Sequence, residues 1–545
     1  MILRGVWKAV GLVLSLQAMA EPCGATGEIV CQVDFATPRG LVFATNGLEI
    51  AFRDDAKLGT VLEAVRPELG AARRLQLPLR FLPEAQGLHA VTVRVEKAVW
   101  SLEALGAKDE DWPTNSCPIS GLAPLSPRQI PDSRPIEGPI QFWTPADWNA
   151  WVGDVALGVY KDRFHVFYLF DRRHHKSKGG AGGHQFAHLS STDLVHWVEH
   201  PLAVPICELW QSVGTGTPFV KDGKLMLAFG WHTERFPWAG MYPRGASWAE
   251  SEDGILFTSS GVVFHETRNP TVYNRADGRL GLVRGYGLDK GFNVSDGDLT
   301  KWTVSDDTIP FGGDCPCYFE WNGHHYLLQG FVEMAHSATG ALGSWEDWGR
   351  SGDDIYDGLS VPMVAEWHGR RIVGGWVRHP DGWGGWLAFR ELVQFPDGKL
   401  GMKWMPELLA ALPPSREFAV NAGEAFACRF SNGKSEVEFF ADPVSACAGW
   451  APVKAGVRGQ VHSLAEAKAN TALLDGDGAR FCDPKFAAFY RIEHVRGLNC
   501  PYKVRFLLRY CPKSDATIID AEIAGTRTLL TVQRGRWTLS AGKGR

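Results

Sequence analysis

The chain has 545 residues, too many for one ordinary hydrophobic core, and its 45% hydrophobic and 21% charged residues exclude a disordered or fibrous protein. Its net charge of −5, with both signs mixed along the chain, excludes the basic footprint of a nucleic-acid binder and a polybasic membrane arm. Twenty-two tryptophans, many beside glycine or acidic residues, supply rings that suit both core packing and stacking on sugar faces.

Residues 1–20 have the form of a secretory signal. Arg4 and Lys8 precede the short apolar run Ala9 to Leu16, and Ala18-Met19-Ala20 offers a small-x-small cleavage site. The expectation is an exported protein without membrane insertion, in an extracellular, periplasmic or vacuolar-type compartment. The 11 cysteines all follow Ala20, and bridges are most expected among Cys428, Cys447, Cys482, Cys500 and Cys511. No paired metal-ligand motif occurs, so neither a metal nor another cofactor is expected.

Residues 21–112 carry short alternating segments such as Ile29 to Phe35, Leu48 to Phe52 and Ala90 to Val95. This pattern predicts an N-terminal β-sandwich-like region, with a helical patch near Leu62 to Ala72. Residues 113–141 form a proline-rich linker or strap, with seven prolines from Pro113 to Pro139.

Residues 142–412 change texture. A phrase recurs as Ser191-Thr192-Asp193-Leu194-Val195-His196-Trp197, Ser251-Glu252-Asp253-Gly254-Ile255-Leu256-Phe257 and Ser295-Asp296-Gly297-Asp298-Leu299-Thr300-Lys301-Trp302, with a looser copy near Trp345. Repetition at intervals of roughly 40 to 60 residues predicts a five-bladed β-propeller, each phrase closing a four-stranded blade. Residues 413–545 alternate again and predict a C-terminal β-sandwich, with an extended loop region near Gly456 to Asp477. The fold class expected is all-β.

A propeller brings inner-strand ends from different blades to one funnel, where glycoside hydrolysis needs two carboxyl groups. Gly153-Asp154, Arg268-Asn269-Pro270 and Asp314-Cys315-Pro316 are the acidic or amide turns so placed. At these turns the chain resembles glycoside hydrolase family 32, the invertases, inulinases and levanases. The family's Asn-Asp-Pro-Asn-Gly motif is represented by Gly153 to Leu157, and its Arg-Asp-Pro and Glu-Cys-Pro motifs by the other two turns. Ala187-His188, Ser191 to Trp197, Asp354-Ile355-Tyr356, Gly385-Trp386 and Arg390-Glu391-Leu392 match further family phrases in order.

The resemblance implies a five-bladed propeller with a trailing sandwich, and retaining cleavage of fructosyl bonds in sucrose or fructans. It implies Asp154 as nucleophile, Asp314 as acid/base and Asn269 at the transition-state stabiliser position. Arg268, Trp151, Asp171, Arg172, His184, Gln185, Tyr356 and Trp386 are the expected substrate-binding residues. Two positions depart from the family: Asp314 is one methylene shorter than glutamate, and Asn269 brings no charge. Glu266, Glu320 and Glu333 are alternative carboxylates. The cationic loop Asp171 to Lys178 suits a hydroxyl-rich or anionic glycan. Two other functions fit the same residues: an inverting arabinan- or xylan-type glycosidase with a wider carboxylate separation, and a catalytically weakened carbohydrate-binding protein.

Overall fold

A computed structural model of the chain describes residues 27–45, 48–55, 58–65, 74–82, 86–96, 99–111, 133–146, 148–172, 184–205, 212–232, 244–286, 289–305, 309, 314–330, 333–338, 344–348, 354–452 and 491–540. The expected signal segment, the loop near 456–477 and the cationic residues 173–178 lie outside these.

The fold is nearly all-β. The α-helix Pro406–Ala411 is only six residues long. No described helix is long and apolar enough to cross a membrane.

Two four-stranded antiparallel sheets form near the N-terminus, Gly27–Asp34 with Leu88–Glu96, Val99–Ala104 and Ala107–Asp111, and Gly40–Thr45 through Arg74–Pro78 in sequence order. Their alternating apolar residues, among them Val33, Ile50, Leu62, Leu77, Val91 and Leu102, meet in one core. The helical patch expected from Leu62 is not helical at its start: Gly59–Val65 is a strand paired on both edges, and pairing overrides local propensity. This unit docks on residues 148–149. Asn149 donates to the buried Asp109 carboxylate, and Trp148 stacks on Phe81 with centroids 6.2 Å apart.

Five antiparallel groups of four consecutive strands follow. Sheet I comprises Ala150–Tyr160, Arg163–Arg172, Gln185–Ser191 and Trp197–Val204. Sheet II comprises Val213–Lys221, Lys224–Trp231, Gly245–Ser251 and Thr258–Ser259, and sheet III Thr271–Asn274, Leu280–Tyr286, Asp289–Ser295 and Thr303–Val304. Sheet IV comprises Pro316–Trp321, His324–Gln329, Glu333–Ser337 and Glu346–Asp347, and sheet V Leu359–Trp367, Arg370–His379, Gly382–Gln394 and Leu400–Lys403. Sheet V pairs with sheet I through Val152 and Gly385, and the proline-rich strap adds Arg134–Pro135 to its outer edge.

The first strands of successive sheets are side by side in ring order. Thr217 Oγ1 of sheet II donates to Val272 O of sheet III at 3.0 Å, Thr271 of sheet III donates to Pro316 O of sheet IV, and Val364 N of sheet V donates to Cys317 Sγ of sheet IV at 3.3 Å. Pro218 of sheet II packs on the bare Cα of Gly158 in sheet I, and Leu157 of sheet I packs on Gly374 of sheet V.

The repeated phrase is a local turn. Ser191 Oγ accepts from Leu194 N at 2.8 Å and Asp193 Oδ1 from Val195 N and His196 N at 2.8 and 2.7 Å. Ser251 and Asp253 make the same bonds to Gly254, Ile255 and Leu256. At the matching position Leu194 has φ 63° and Gly254 φ 80°, the left-handed region that the turn imposes.

The C-terminal strands form two facing sheets, one of four strands running Arg416–Val420, Tyr502–Cys511, Ala516–Ile523 and Arg527–Arg534, and one of five centred on Glu436–Asp442. Phe430, Phe439, Trp450 and Phe506 fill the space between them. Arg390 of sheet V joins this unit to the ring, fully buried between Asp357 at 2.9 Å and Asp520 at 2.9 Å. Of the five cysteines expected to form bridges here, Cys428, Cys500 and Cys511 carry free thiols, and Cys482 lies outside the described residues.

Candidate active site

Asp154 is presented by a break in pairing. The register between the first two strands of sheet I shifts between Val152 and Val155, and this bulge re-aims the side chains of the intervening residues. The Asp154 carboxylate is buried and accepts from two donors of other sheets, Thr215 Oγ1 at 2.5 Å and Trp376 Nε1 at 2.9 Å. An ionised carboxylate is an acceptor only, so this donor set matches it.

Asn269 comes from the turn before sheet III and is also buried. Its Nδ2 donates to Asp314 Oδ1 and lies 3.5 Å from Cys315 Sγ, while His232 Nε2 is 3.0 Å from its Oδ1. Gly214 has no side chain for a spatial reason: a Cβ there would fall 2.0 Å from His232 Nε2 and 2.6 Å from Asn269 Oδ1.

Asp314 precedes sheet IV and is exposed. Its Oδ1 also accepts from Cys315 N at 3.0 Å, which leaves Oδ2 as the oxygen able to carry or transfer a proton. Cys315, at φ 52°, turns its thiol under both carboxylates, 3.5 Å from Asp154 Oδ2 and 3.2 Å from Thr215 Oγ1. Burial, and then the charges of Asp314 and Asp154, push this thiol far above the usual range, so it stays protonated and is a poor nucleophile. Cys317 faces the Val364 amide instead, and both thiols are free.

Asp154, Asn269 and Asp314, from three separate sequence regions, therefore meet around Cys315. Arg268 and Gln185 are half-buried. Arg172 ends a strand of sheet I, and its side chain lies outside the described residues. The other residues expected to touch substrate are placed differently. Trp386 and Tyr356 are 0% and 2% exposed within the core, and the Tyr356 hydroxyl donates to Gln329 O at 3.2 Å. Asp171 and His184 are both 0% exposed and pair with each other at 3.0 Å, and Trp151 is buried against His379 at 4.3 Å between ring centroids. All five are buried: Trp151 and His184 pack on Trp386 and Trp383 of sheet V, Asp171 pairs with His184, and Tyr356 bonds Gln329 of sheet IV.

Glu320 lies at the far end of the Pro316–Trp321 strand, about 3.3 Å per residue away from the site, and cannot replace Asp314. Glu266 is exposed in the turn ahead of Asn269, and the Glu333 side chain lies outside the described residues. Sequence reasoning missed Thr215, His232 and Trp376. The small-residue phrase Gly214-Thr215-Gly216 at the mouth of a strand was the available signal for Thr215. Trp376 sits in a long apolar strand that gives no local cue. Among the described residues no three His, Cys, Asp or Glu side chains are grouped to hold a metal ion.

Residues 149–310 match the family model described as "Glycosyl hydrolases family 32 N-terminal domain", which ends just before Asp314. The chain is similar to a sucrose-6-phosphate hydrolase of Escherichia coli, 24% identical over 314 residues that cover 46% of this chain and 61% of that protein. It is similar to a probable sucrose-6-phosphate hydrolase of Psychromonas ingrahamii, 26% identical over 52% of this chain and 60% of the other. The matches thus span about three fifths of each curated relative. Among solved structures, sucrose-6-phosphate hydrolase from Lactobacillus gasseri shares the fold at a TM-score of 0.50 and 14% identity, covering 73% of this chain and 88% of that one.

Proposed function

We propose, from the match of residues 149–310 to the family model and from the motifs around Asp154, that the chain is a glycosidase of glycoside hydrolase family 32 acting on fructosyl bonds of sucrose or fructans. The observation that carries the proposal is the convergence of Asp154 of sheet I and Asp314, from the turn before sheet IV, on Cys315, with Asn269 bonded to Asp314. On this reading Asp154 attacks the anomeric carbon and Asp314 protonates the leaving oxygen through Oδ2. Asp314 then activates the water that releases the sugar, in a double displacement with retention. Asn269 orients Asp314 and adds a dipole, where a carboxylate would add charge to a developing cation.

The five sheets are, on the same reading, the blades of a five-bladed propeller, supported by the ring order of their first strands. The proposal includes residues 21–112, 142–412 and 413–545 as N-terminal, catalytic and sandwich domains, and export through residues 1–20. The test is product analysis: sucrose, inulin and levan are incubated with the protein, and the anomer first released is read by NMR. Release of the retained anomer supports the mechanism, and the inverted anomer removes Asp154 as nucleophile.

A second reading is favoured by one specific observation. The amide of Asn269 bonds Asp314 directly where a stabilising charge is expected, an arrangement that suits a carbohydrate-binding protein with weakened chemistry. Binding of fructans without any release of sugar would select it.

A further inference from the structure

The turn that carries Asn269 lies against sheet II at two bare backbone positions. Gly214 and Gly230 pair with each other across the first two strands of that sheet. A Cβ at Gly230 would fall 1.3 Å from Arg268 O, and one at Gly214 would fall 2.6 Å from Asn269 Oδ1. Glycine at both positions lets the Arg268-Asn269 turn close on the sheet. His232 follows the second strand directly, and its N donates to Ser212 O at 2.9 Å. Its ring fills the volume that a Gly214 side chain would take, and places Nε2 3.0 Å from Asn269 Oδ1.

These contacts fix which way round the Asn269 amide stands. An amide nitrogen only donates and an amide oxygen only accepts, and an ionised carboxylate also only accepts. Nδ2 therefore turns to Asp314 Oδ1, and Oδ1 of Asn269 accepts from His232 Nε2. The neutral ring with its hydrogen on Nε2 and the charged ring both donate there, so the bond does not depend on the charge of His232. With a hydrogen on Nε2, the ring offers no lone pair to a reversed amide. Reversed, the amide oxygen would face Asp314 Oδ1 and draw the carboxyl proton onto that atom. As held, Asp314 Oδ1 accepts from Asn269 Nδ2 and from Cys315 N at 3.0 Å, and the proton is left to Oδ2.

We propose that His232 is a positioning residue for proton transfer to the leaving group: by holding the Asn269 amide, it keeps the transferable proton of Asp314 on Oδ2. The inference rests on the reading of Asp314 as the acid/base. His232 acts through Asn269 alone, so its effect belongs to the protonation of the leaving oxygen. That effect vanishes for a leaving group that departs without a proton, such as a stable phenolate. General acid catalysis supplies about 10²–10⁴-fold, and misplacement of a reacting group by about 1 Å costs about 10²-fold. Loss of the His232 donor should therefore cost about 10–100-fold in the protonation step.

The test uses the full chain, with kcat and KM measured on sucrose and kcat/KM on p-nitrophenyl β-fructofuranoside. His232→Phe should lower kcat on sucrose about 10–100-fold and leave KM within about 3-fold. On the aryl fructoside its kcat/KM should stay within about 3-fold of the parent, which also shows that the site is folded. His232→Gln, whose amide can donate to Asn269 Oδ1, should restore most of kcat. Should phenylalanine prevent folding, His232→Met, as long as glutamine but without a donor, carries the same expectation. In the Asn269→Ala background, His232→Phe should have no further effect, because the link to Asp314 is already cut. Parental kcat in His232→Phe, an equal loss on both substrates, or a loss that persists in Asn269→Ala overturns the proposal. Asp314→Ala separates the two readings. If it loses activity on sucrose while His232→Phe does not, the proposal alone fails; if it keeps parental activity, or the parent releases no sugar, the acid/base reading fails and the proposal with it.

Discussion

Asn269 donates its side-chain amide to Oδ1 of Asp314, so a neutral donor stands beside the candidate acid/base. Replacement by a carboxylate adds negative charge close to the reacting centre and places it against Asp314 in a buried position. Asn269→Asp should raise kcat on sucrose about 10-fold through electrostatic stabilisation. It should also lower stability by about 1–3 kcal/mol, because the bond to Asp314 is exchanged for repulsion. Steady-state kinetics and thermal melts of the two proteins check both signs.

The three histidines inside sheet I make stability depend on acid. His165 Nδ1 is 2.9 Å from His188 Nε2, and the rings of His188 and His200 are 4.6 Å apart. Burial lowers all three, aided by Arg163 at each and by neighbouring histidines at His165 and His188, with His165 and His200 at about 4. Opposing this shift are the Tyr160 backbone bond at His165 and the Asp253 charge at His200. Tyr160 and Gly254 pack on His165, and Ser190 and Ser133 bond His200. Folded-state values below the unfolded value of about 6.5 mean that the unfolded chain takes up protons first. The stability contribution is complete above about pH 6.5 and is lost as pH falls toward about 4. The thermal midpoint should fall across that window, and less steeply in His188→Phe, which keeps the stack on Phe167. Equal slopes in both proteins would contradict the assignment.

Arg390 should be indispensable to the seam between sheet V and the C-terminal sheets. It bonds Asp357 Oδ2 and Asp520 Oδ1, each at 2.9 Å, and Thr528 Oγ1 at 3.1 Å, with all three carboxylate and guanidinium groups buried. Arg390→Met leaves two carboxylates without their cation and should cost about 3–5 kcal/mol. Asp520 is raised to about 7, chiefly by burial, with the Arg390 charge opposing. The folded form therefore holds a proton that the unfolded form releases above about pH 4, and this contribution fades as pH rises from about 4 through about 7. Melts from pH 5 to 8 check the drop and its direction.

The all-β character and the repeated turns were legible because their causes are local. Ser191 and Asp193 bond amides two or three residues on, and the same letters recur wherever the same turn is needed. The meeting of Asp154, Asn269 and Asp314 was legible only through an ordered set of motifs, since no spacing law links residues so far apart. The partners Thr215 and Trp376 were not legible, because their contacts exist only once sheets I, II and V come together. Tyr356 and Trp386 were not placed by sequence for a different reason: an aromatic in a motif reads alike whether it packs or binds, and both are buried.

The most direct measurement compares fructosyl release from sucrose, inulin and levan by the parent chain and by Asp154→Asn. The amide oxygen of asparagine can still accept from Thr215 or Trp376, so the fold and substrate binding should persist. Release should fall at least about 10⁴-fold, the scale on which loss of a principal catalytic group acts. Equal release by both proteins, with the fold intact, would contradict the assignment of Asp154 and with it the mechanism proposed for this site.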